Sequence, residues 1–251
     1  MIKIEQISKS FKGTKVLNDI TFEIKKGDFA AVMGPSGSGK STLLYSVSGM
    51  DSVSEGRVMF EGVNIIELQE SALSHFRLTK MGFVFQNAQM LKNLSVIDNI
   101  ILPGLVAKKE PAENIRKRAY ELMKQMEITG IENRDIKEVS GGELQRASIC
   151  RAMINNPEIL FLDEPTGALN SEATDQVLGI LEDLNRNGMT IMAVTHDQRV
   201  AAKAKKVLYI SDGQIAACKE FKTGEDRVLE LDNWLKGLRF PSKNIYPYPT
   251  V

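Results

Sequence analysis

Apolar and polar residues alternate with a period of two in the opening of the chain. Residues 2–8 predict one strand, and residues 16–24 a second, in which Ile20, Phe22 and Ile24 alternate with Thr21 and Glu23. That period marks a half-buried antiparallel strand. Lys25 to Asp28 predict a turn, and Phe29 to Met33 form an unbroken apolar run leading into glycines. A helix is predicted from Lys40 to about Gly49, a strand and turn from Arg57 onwards, and a buried strand over 81–86. From 87 to about 155 the period lengthens to that of helices. One segment opens at Pro111 and sets Ile115, Leu122 and Met126 on one face, with the charge run Arg116, Lys117, Arg118 read as its solvated side.

Strand and helix then alternate again. EILFLDEP (158–165) predicts a strand, 171–186 a helix, TIMAVTH (190–196) a strand, and 207–218 a hairpin turning at Asp212-Gly213. The pattern defines a mainly parallel α/β domain with a helical insertion between Gln86 and Pro157. Beyond 220, Val228, Leu231, Leu235 and Leu238 recur at helical spacing beside Trp234. This helix either caps its own domain or docks on a partner, and YPYPTV (246–251) is expected to be an extended end.

Composition narrows the function classes. The chain has 32 basic and 32 acidic residues, a balance that favours neither nucleic acid nor an anionic membrane surface. Cys150 and Cys218 are too few for a disulfide framework and have no metal spacing. No apolar run approaches the ~18 residues of a membrane span, and the first residues lack the apolar block of a signal peptide. The expectation is a soluble cytoplasmic chain.

The chemistry is concentrated at strand ends. Gly34-Pro35-Ser36-Gly37-Ser38-Gly39-Lys40-Ser41 matches G-x-x-x-x-G-K-[ST] and sits between a predicted strand and a predicted helix, the context that motif needs. Glycines let successive N–H groups wrap a polyphosphate, and the helix adds its N-terminal dipole. Lys40 would reach the β- and γ-phosphates, and the Ser41 hydroxyl would ligate Mg²⁺. In ILFLDEP, Asp163 and Glu164 emerge at the carboxyl end of a buried strand. Open α/β sheets place their ligands there, and two carboxylates there suit a cation shell and the polarisation of a water. Gln86 ends its strand with an amide able to reach the same metal or water. His196 ends another; on spacing alone it is equally a structural histidine or a γ-phosphate contact.

The ordered set GPSGSGKST, Gln86, SGGELQR (140–146), ILFLDEPTGALN and VTH resembles the ATP-binding subunit of an ABC transporter over residues 2–220 or so. The resemblance implies a P-loop NTPase (RecA-like) α/β fold: a mainly parallel core, an N-terminal antiparallel β part and a helical subdomain over about 87–156, all within 1–220, followed by a C-terminal helix and tail. It implies an ATPase using ATP and Mg²⁺, with sites formed between two copies in a head-to-tail dimer. Gly34 to Thr42, including Ser36, Gly37, Ser38, Gly39, Lys40 and Ser41, would bind the phosphates. Ser41, Gln86 and Asp163 would hold the metal, with Glu164 as base and His196 and Gln86 beside it. Phe11 would stack on adenine, with Val16 next to it, although a strand-end phenylalanine is also a common core residue. Ser140, Gly141 and Gly142 would close on the nucleotide of the other copy.

Three positions depart from the commonest family pattern. Val139 replaces a leucine, Glu143 a glutamine, and Asn170 an aspartate; the last puts the coupling of the two sites in doubt. FVFQNAQMLKNLSVIDNIILP resembles subunits serving permeases that export or release macrolides, lipoproteins or antimicrobial peptides, and GALN with NWL leans to the peptide-resistance members. Residues 87–100 are then the expected permease contact, which would hold the chain at the inner face of the cell membrane. Competing readings are a soluble ABC ATPase without a permease, a lipoprotein- or cell-division-type complex, and a P-loop kinase. The kinase would leave SGGELQR and His196 without a task.

Overall fold

The computed structural model describes residues 1–221 and 227–238. YPYPTV lies outside the described residues. In chain order the elements are β1 (Ile2–Phe11), β2 (Thr14–Ile24), β3 (Phe29–Met33), α1 (Lys40–Val47), β4 (Glu55–Phe60), β5 (Val63–Asn64), α2 (Glu70–Lys80) and β6 (Met81–Phe85). Then follow α3 (Val96–Ala107), α4 (Ala112–Gln125), α5 (Gly141–Met153), β7 (Ile159–Asp163), α6 (Ser171–Arg186), β8 (Thr190–Val194), α7 (Gln198–Lys203), β9 (Lys206–Ser211), β10 (Gln214–Glu220) and α8 (Arg227–Gly237).

Two sheets result. An antiparallel sheet has the order β2-β1-β4-β5, and a six-stranded sheet has the order β10-β9-β3-β8-β7-β6. In the second, β9, β3, β8, β7 and β6 run parallel, and β10 closes the edge antiparallel. Its central strands are apolar on both faces because both are covered. Along β7 the period of two divides the side chains: Ile159 and Phe161 face a core shared with β1, β4 and α1, while Leu160 and Leu162 face a core shared with α3, α4, α5 and α6. Phe161 and Phe29 are completely buried, each stabilising the fold by about 2–3 kcal/mol. The parallel arrangement brings the carboxyl ends of β3, β8, β7 and β6 to one edge. Val32 is abreast of Val194, Val194 of Asp163, and Asp163 of Phe85.

The predicted strands and the 171–186 helix are all present, with β1 running three residues further than its alternation suggested. Gln6 interrupts it with a left-handed backbone and a register shift, which breaks the period of two. Two helices lacked a readable signal. α2 buries only Thr79 and has no side-chain N-cap, while α7 is only six residues long. The charge run on α4 is not wholly solvated. Arg116 and Lys117 are exposed, but Arg118 turns inward and donates from Nε to the Ile154 carbonyl at 2.7 Å while pairing with Glu110. It thereby satisfies a carbonyl at the end of α5. At the far end of the chain, α8 packs on its own domain: Leu231 is fully buried, with Trp234 and Leu235 against the same core.

Candidate functional site

The loop between β3 and α1 ends on Gly39, whose left-handed backbone (φ 100) serves as the helix N-cap without any side-chain cap. Glycine is favoured there because that φ strains any L side chain, and a Cβ would also press on the Val16 carbonyl and the Leu17 side chain at 3.0 Å. Val16 is thus wedged against the loop. Ser36 and Gly37 are exposed at the loop's tip, and Lys40, Ser41 and Thr42 form the first turn of α1, each half-buried. Lys40 Nζ donates to the carbonyls of Gly34 and Pro35, each at 2.9 Å. Ser38 Oγ is buried with no hydrogen-bond partner among the described residues. An orphan hydroxyl, a lysine and an uncapped helix N-terminus together fit a polyphosphate.

Asp163 ends β7 and faces α1. Ser41 Oγ donates to its Oδ1 at 3.0 Å and the Tyr45 hydroxyl to its Oδ2 at 2.7 Å. Burial, reinforced by the neighbouring Asp163 carboxylate, pushes the Tyr45 phenol up to about 12. A hydroxyl and a carboxylate are the hard oxygen donors that magnesium prefers. Among the described residues no cluster of three His, Cys, Asp or Glu could hold a metal alone. A cation at Ser41 and Asp163 would therefore complete its shell from substrate phosphates and water.

Glu164 follows with a left-handed backbone (φ 49), pinned by its N–H to the Val194 carbonyl at 2.9 Å. That conformation costs about 1–2 kcal/mol for a non-glycine residue. It turns the carboxylate toward β8, where Oε2 accepts from the His196 backbone N–H at 3.2 Å and lies 2.8 Å from His196 Nδ1. His196 is therefore not a core histidine: it stands two residues beyond β8 with its side chain 70% exposed. Gln86, just past β6, is also exposed. Its amide lies against Gly167, where a Cβ would come within 2.9 Å of Nε2. No hydrogen bond joins it to Asp163 or Glu164 among the described residues. Phe11 is no core residue either: it is 45% exposed at the end of β1, with Lys9 Nζ 4.8 Å from its ring centroid.

SGGELQR starts α5 with a complete capping box. Ser140 Oγ accepts from the Glu143 N–H at 3.3 Å, and Glu143 Oε2 accepts from the Ser140 N–H at 2.8 Å and its hydroxyl at 2.6 Å. The Ser140 hydroxyl and N–H together hold the Glu143 carboxyl below the usual glutamate range. Glutamate and glutamine both serve at this third helical position, which explains the departure at Glu143 from the family pattern. The Asn170 side chain accepts from the Ala173 N–H at 2.9 Å and so caps α6, a task it shares with aspartate. Val139 packs against the helical core. Ser140, Gly141 and Gly142 line a cavity of about 440 Å³ with Leu169 and Asn170, and no residue of the phosphate loop reaches it.

Two participants escaped the sequence reading. Tyr45 lies one turn after Ser41, a spacing that could have drawn notice. Gln145, buried in α5, donates to the carbonyls of Phe85 at 3.2 Å and Pro165 at 2.9 Å. It ties the SGG helix to the ends of β6 and β7. Residues 87–100 are not one exposed surface. Val96, Ile97, Asn99 and Ile100 are buried because α3 begins there and packs into the core. The loop over 87–95 is exposed or half-buried apart from Ala88, and Asn99 pins it by donating to the carbonyls of Leu91, Leu94 and Ser95.

A phosphate loop feeding a helix, with Asp163 and Glu164 on a nearby strand end, defines a P-loop nucleoside triphosphatase. The family model described as ABC transporter matches residues 17–167, more than half of the chain. The chain belongs to this family as an ATP-binding, ATP-hydrolysing component. It is 39% identical over 231 residues to the ABC transporter ATP-binding protein YxdL of Bacillus subtilis, covering 90% of this chain and 89% of that one. It is 41% identical to the macrolide export ATP-binding/permease protein MacB of Mannheimia succiniciproducens over 86% of its own length, but spans only 34% of MacB. Among solved structures it resembles the dimeric post-hydrolysis state of the ATP-binding cassette MJ0796 bound to ADP and Pi, from Methanocaldococcus jannaschii. The TM-score is 0.83 at 34% identity, over 88% of this chain and 99% of that one. Among the described residues no helix is long and apolar enough to cross a membrane.

Proposed function

We propose that two copies of this chain pair head-to-tail and hydrolyse ATP at two shared sites to drive a membrane permease. The observation that carries this reading is the separation of two incomplete anion sites within one chain. The phosphate loop, Asp163 and Glu164 lie at the sheet edge, while Ser140, Gly141 and Gly142 line a different cavity. The dimeric state of the MJ0796 cassette supports the pairing.

In each site Gly34 to Thr42 bind the phosphates and Lys40 shifts from the loop carbonyls to the β- and γ-phosphates. Phe11 and Val16 flank the base. Ser41 and Asp163, with Gln86 at the rim, would hold Mg²⁺, which would neutralise charge on the phosphate oxygens. Glu164 orients a water and takes its proton on a carboxylate oxygen as the water oxygen bonds to the γ-phosphorus. The bond to the β-phosphate oxygen breaks, leaving ADP and phosphate. His196 holds Glu164 in place and faces the γ-phosphate, while Ser140, Gly141 and Gly142 of the other copy donate to that phosphate.

The permease contact is assigned to residues 87–95 and the groove beside them, a cavity of about 410 Å³ lined by Met50, Arg77, Phe83, Phe85, Gln89 and Pro103. The chain would sit in the cytoplasm at the inner membrane face through that contact. The similarity to the macrolide export protein MacB supports an amphipathic cargo; the GALN and NWL resemblances narrow it to antimicrobial peptides. Glu164→Gln tests the mechanism. ATP binding should survive, turnover should fall at least about a hundredfold, and a stable ATP-bound dimer should accumulate in size-exclusion chromatography. Hydrolysis at the parent rate would remove Glu164 from the role of base.

A further inference from the structure

Ser41 and Tyr45 are four residues apart on α1, so both side chains project from one helix face one turn apart. That face looks onto the end of β7, and the two hydroxyls divide the Asp163 carboxylate between them. Ser41 Oγ takes Oδ1 at 3.0 Å and the Tyr45 hydroxyl takes Oδ2 at 2.7 Å. Their roles cannot be equal. Ser41 is itself among the residues that would hold the metal, so its bond to Asp163 must adapt when a cation arrives. Tyr45 has no such task, and its ring packs against the core beneath the antiparallel sheet. Its hydroxyl is the anchor that stays.

We propose that Tyr45 is a positioning residue for Asp163: its hydroxyl fixes the plane of the carboxylate so that Oδ1 is presented beside Ser41 to the magnesium of Mg–ATP. Partners that orient a metal-binding carboxylate commonly contribute a factor of ten or more to metal affinity. The inference rests on the metal role given above to Ser41 and Asp163.

Tyr45→Phe removes one oxygen and keeps the ring that packs. ATP binding to the full chain is measured by calorimetry in excess Mg²⁺ and again in EDTA. The variant should match the parent in EDTA and bind about tenfold more weakly in Mg²⁺. The Mg²⁺ concentration giving half-maximal turnover should rise by a similar factor, with turnover largely restored at saturating Mg²⁺. Mn²⁺ with ATP gives a second readout, because the paramagnetic resonance signal of bound Mn²⁺ should appear only at higher metal concentration. In an Asp163→Asn background, Tyr45→Phe should add nothing. Equal weakening in Mg²⁺ and EDTA would make Tyr45 a packing residue only and overturn the proposal. So would an unchanged metal dependence, or an effect that persists in the Asp163→Asn background. A parent chain that binds ATP equally well with and without Mg²⁺ would sink the metal role of Ser41 and Asp163 first, and Tyr45's role with it.

Discussion

Helices α1 and α5 both begin beside glycines, and each presents an N-terminus carrying roughly half a positive charge. They are finished in opposite ways. α1 starts on Gly39 with no side-chain cap and no acidic residue in its first turn. α5 starts on Ser140, and Glu143 closes a complete capping box over it. Orphan N–H groups at a helix start need acceptors. At α1 no side chain supplies them, which suits the proposed role of that end as the primary phosphate site. At α5 the chain's own side chains supply two of them, so that end is stable without a ligand. A self-satisfied terminus can wait for a phosphate held by another molecule, which is the division of labour that pairing of two copies requires.

The sharpest way to break the comparison is to block α5 while leaving α1 untouched. Ser140→Arg places a long cation where the second copy would bring its γ-phosphate. If the halves act in different copies, ATP binding by the isolated chain stays near the parent value while turnover falls by roughly a hundredfold or more. Loss of ATP binding itself, measured by calorimetry, would mean that α5 belongs to the primary site. A milder disturbance comes from Gly142, where a Cβ would stand 2.8 Å from Ala173 Cβ. Gly142→Ala must push α5 off α6 and should cost about 1–3 kcal/mol in chemical denaturation. Because α6 follows the Asn170 loop, it should also lower turnover at unchanged ATP affinity.

Much of this site was legible because it sits at the ends of strands. A buried apolar run that stops at Asp163, Gln86 or a glycine announces an edge, and parallel strands put their carboxyl ends together. The parts that were not legible are interactions between side chains distant in sequence. Tyr45 meets Asp163 across 118 positions, and Gln145 meets Phe85 across 60; no periodicity encodes either. α2 is hard to read for a different reason: only Thr79 is fully buried, and its apolar contacts, Leu73 and Phe76, are few and only partly buried. Residues 87–100 combine a loop with the start of a helix, since α3 begins at Val96 and buries Val96, Ile97, Asn99 and Ile100. Glu143 and Asn170 read as departures only when letters were compared. As caps, each performs the same hydrogen bonding as the residue it replaces.

The capping box itself gives the finest test of the contrast. Glu143→Ala should destabilise the chain by about 1 kcal/mol at neutral pH, the usual cost of losing a cap. Its carboxyl is held below the ordinary glutamate range by Ser140, so the folded state favours the ionised form. Such a group stabilises the fold above the unfolded-state pKa, and that stability is lost as pH falls through the lower, folded-state value. The difference between parent and Glu143→Ala should therefore shrink in acid. Glu143→Gln should keep stability near the parent's, since glutamine also serves in a capping box, while losing the acid dependence. Denaturant titrations of the three chains across that range check the sign. A gap between parent and Glu143→Ala that stays constant with pH would show that α5 is not held by a charged cap, and the opposition between the two helix starts would lose its physical basis.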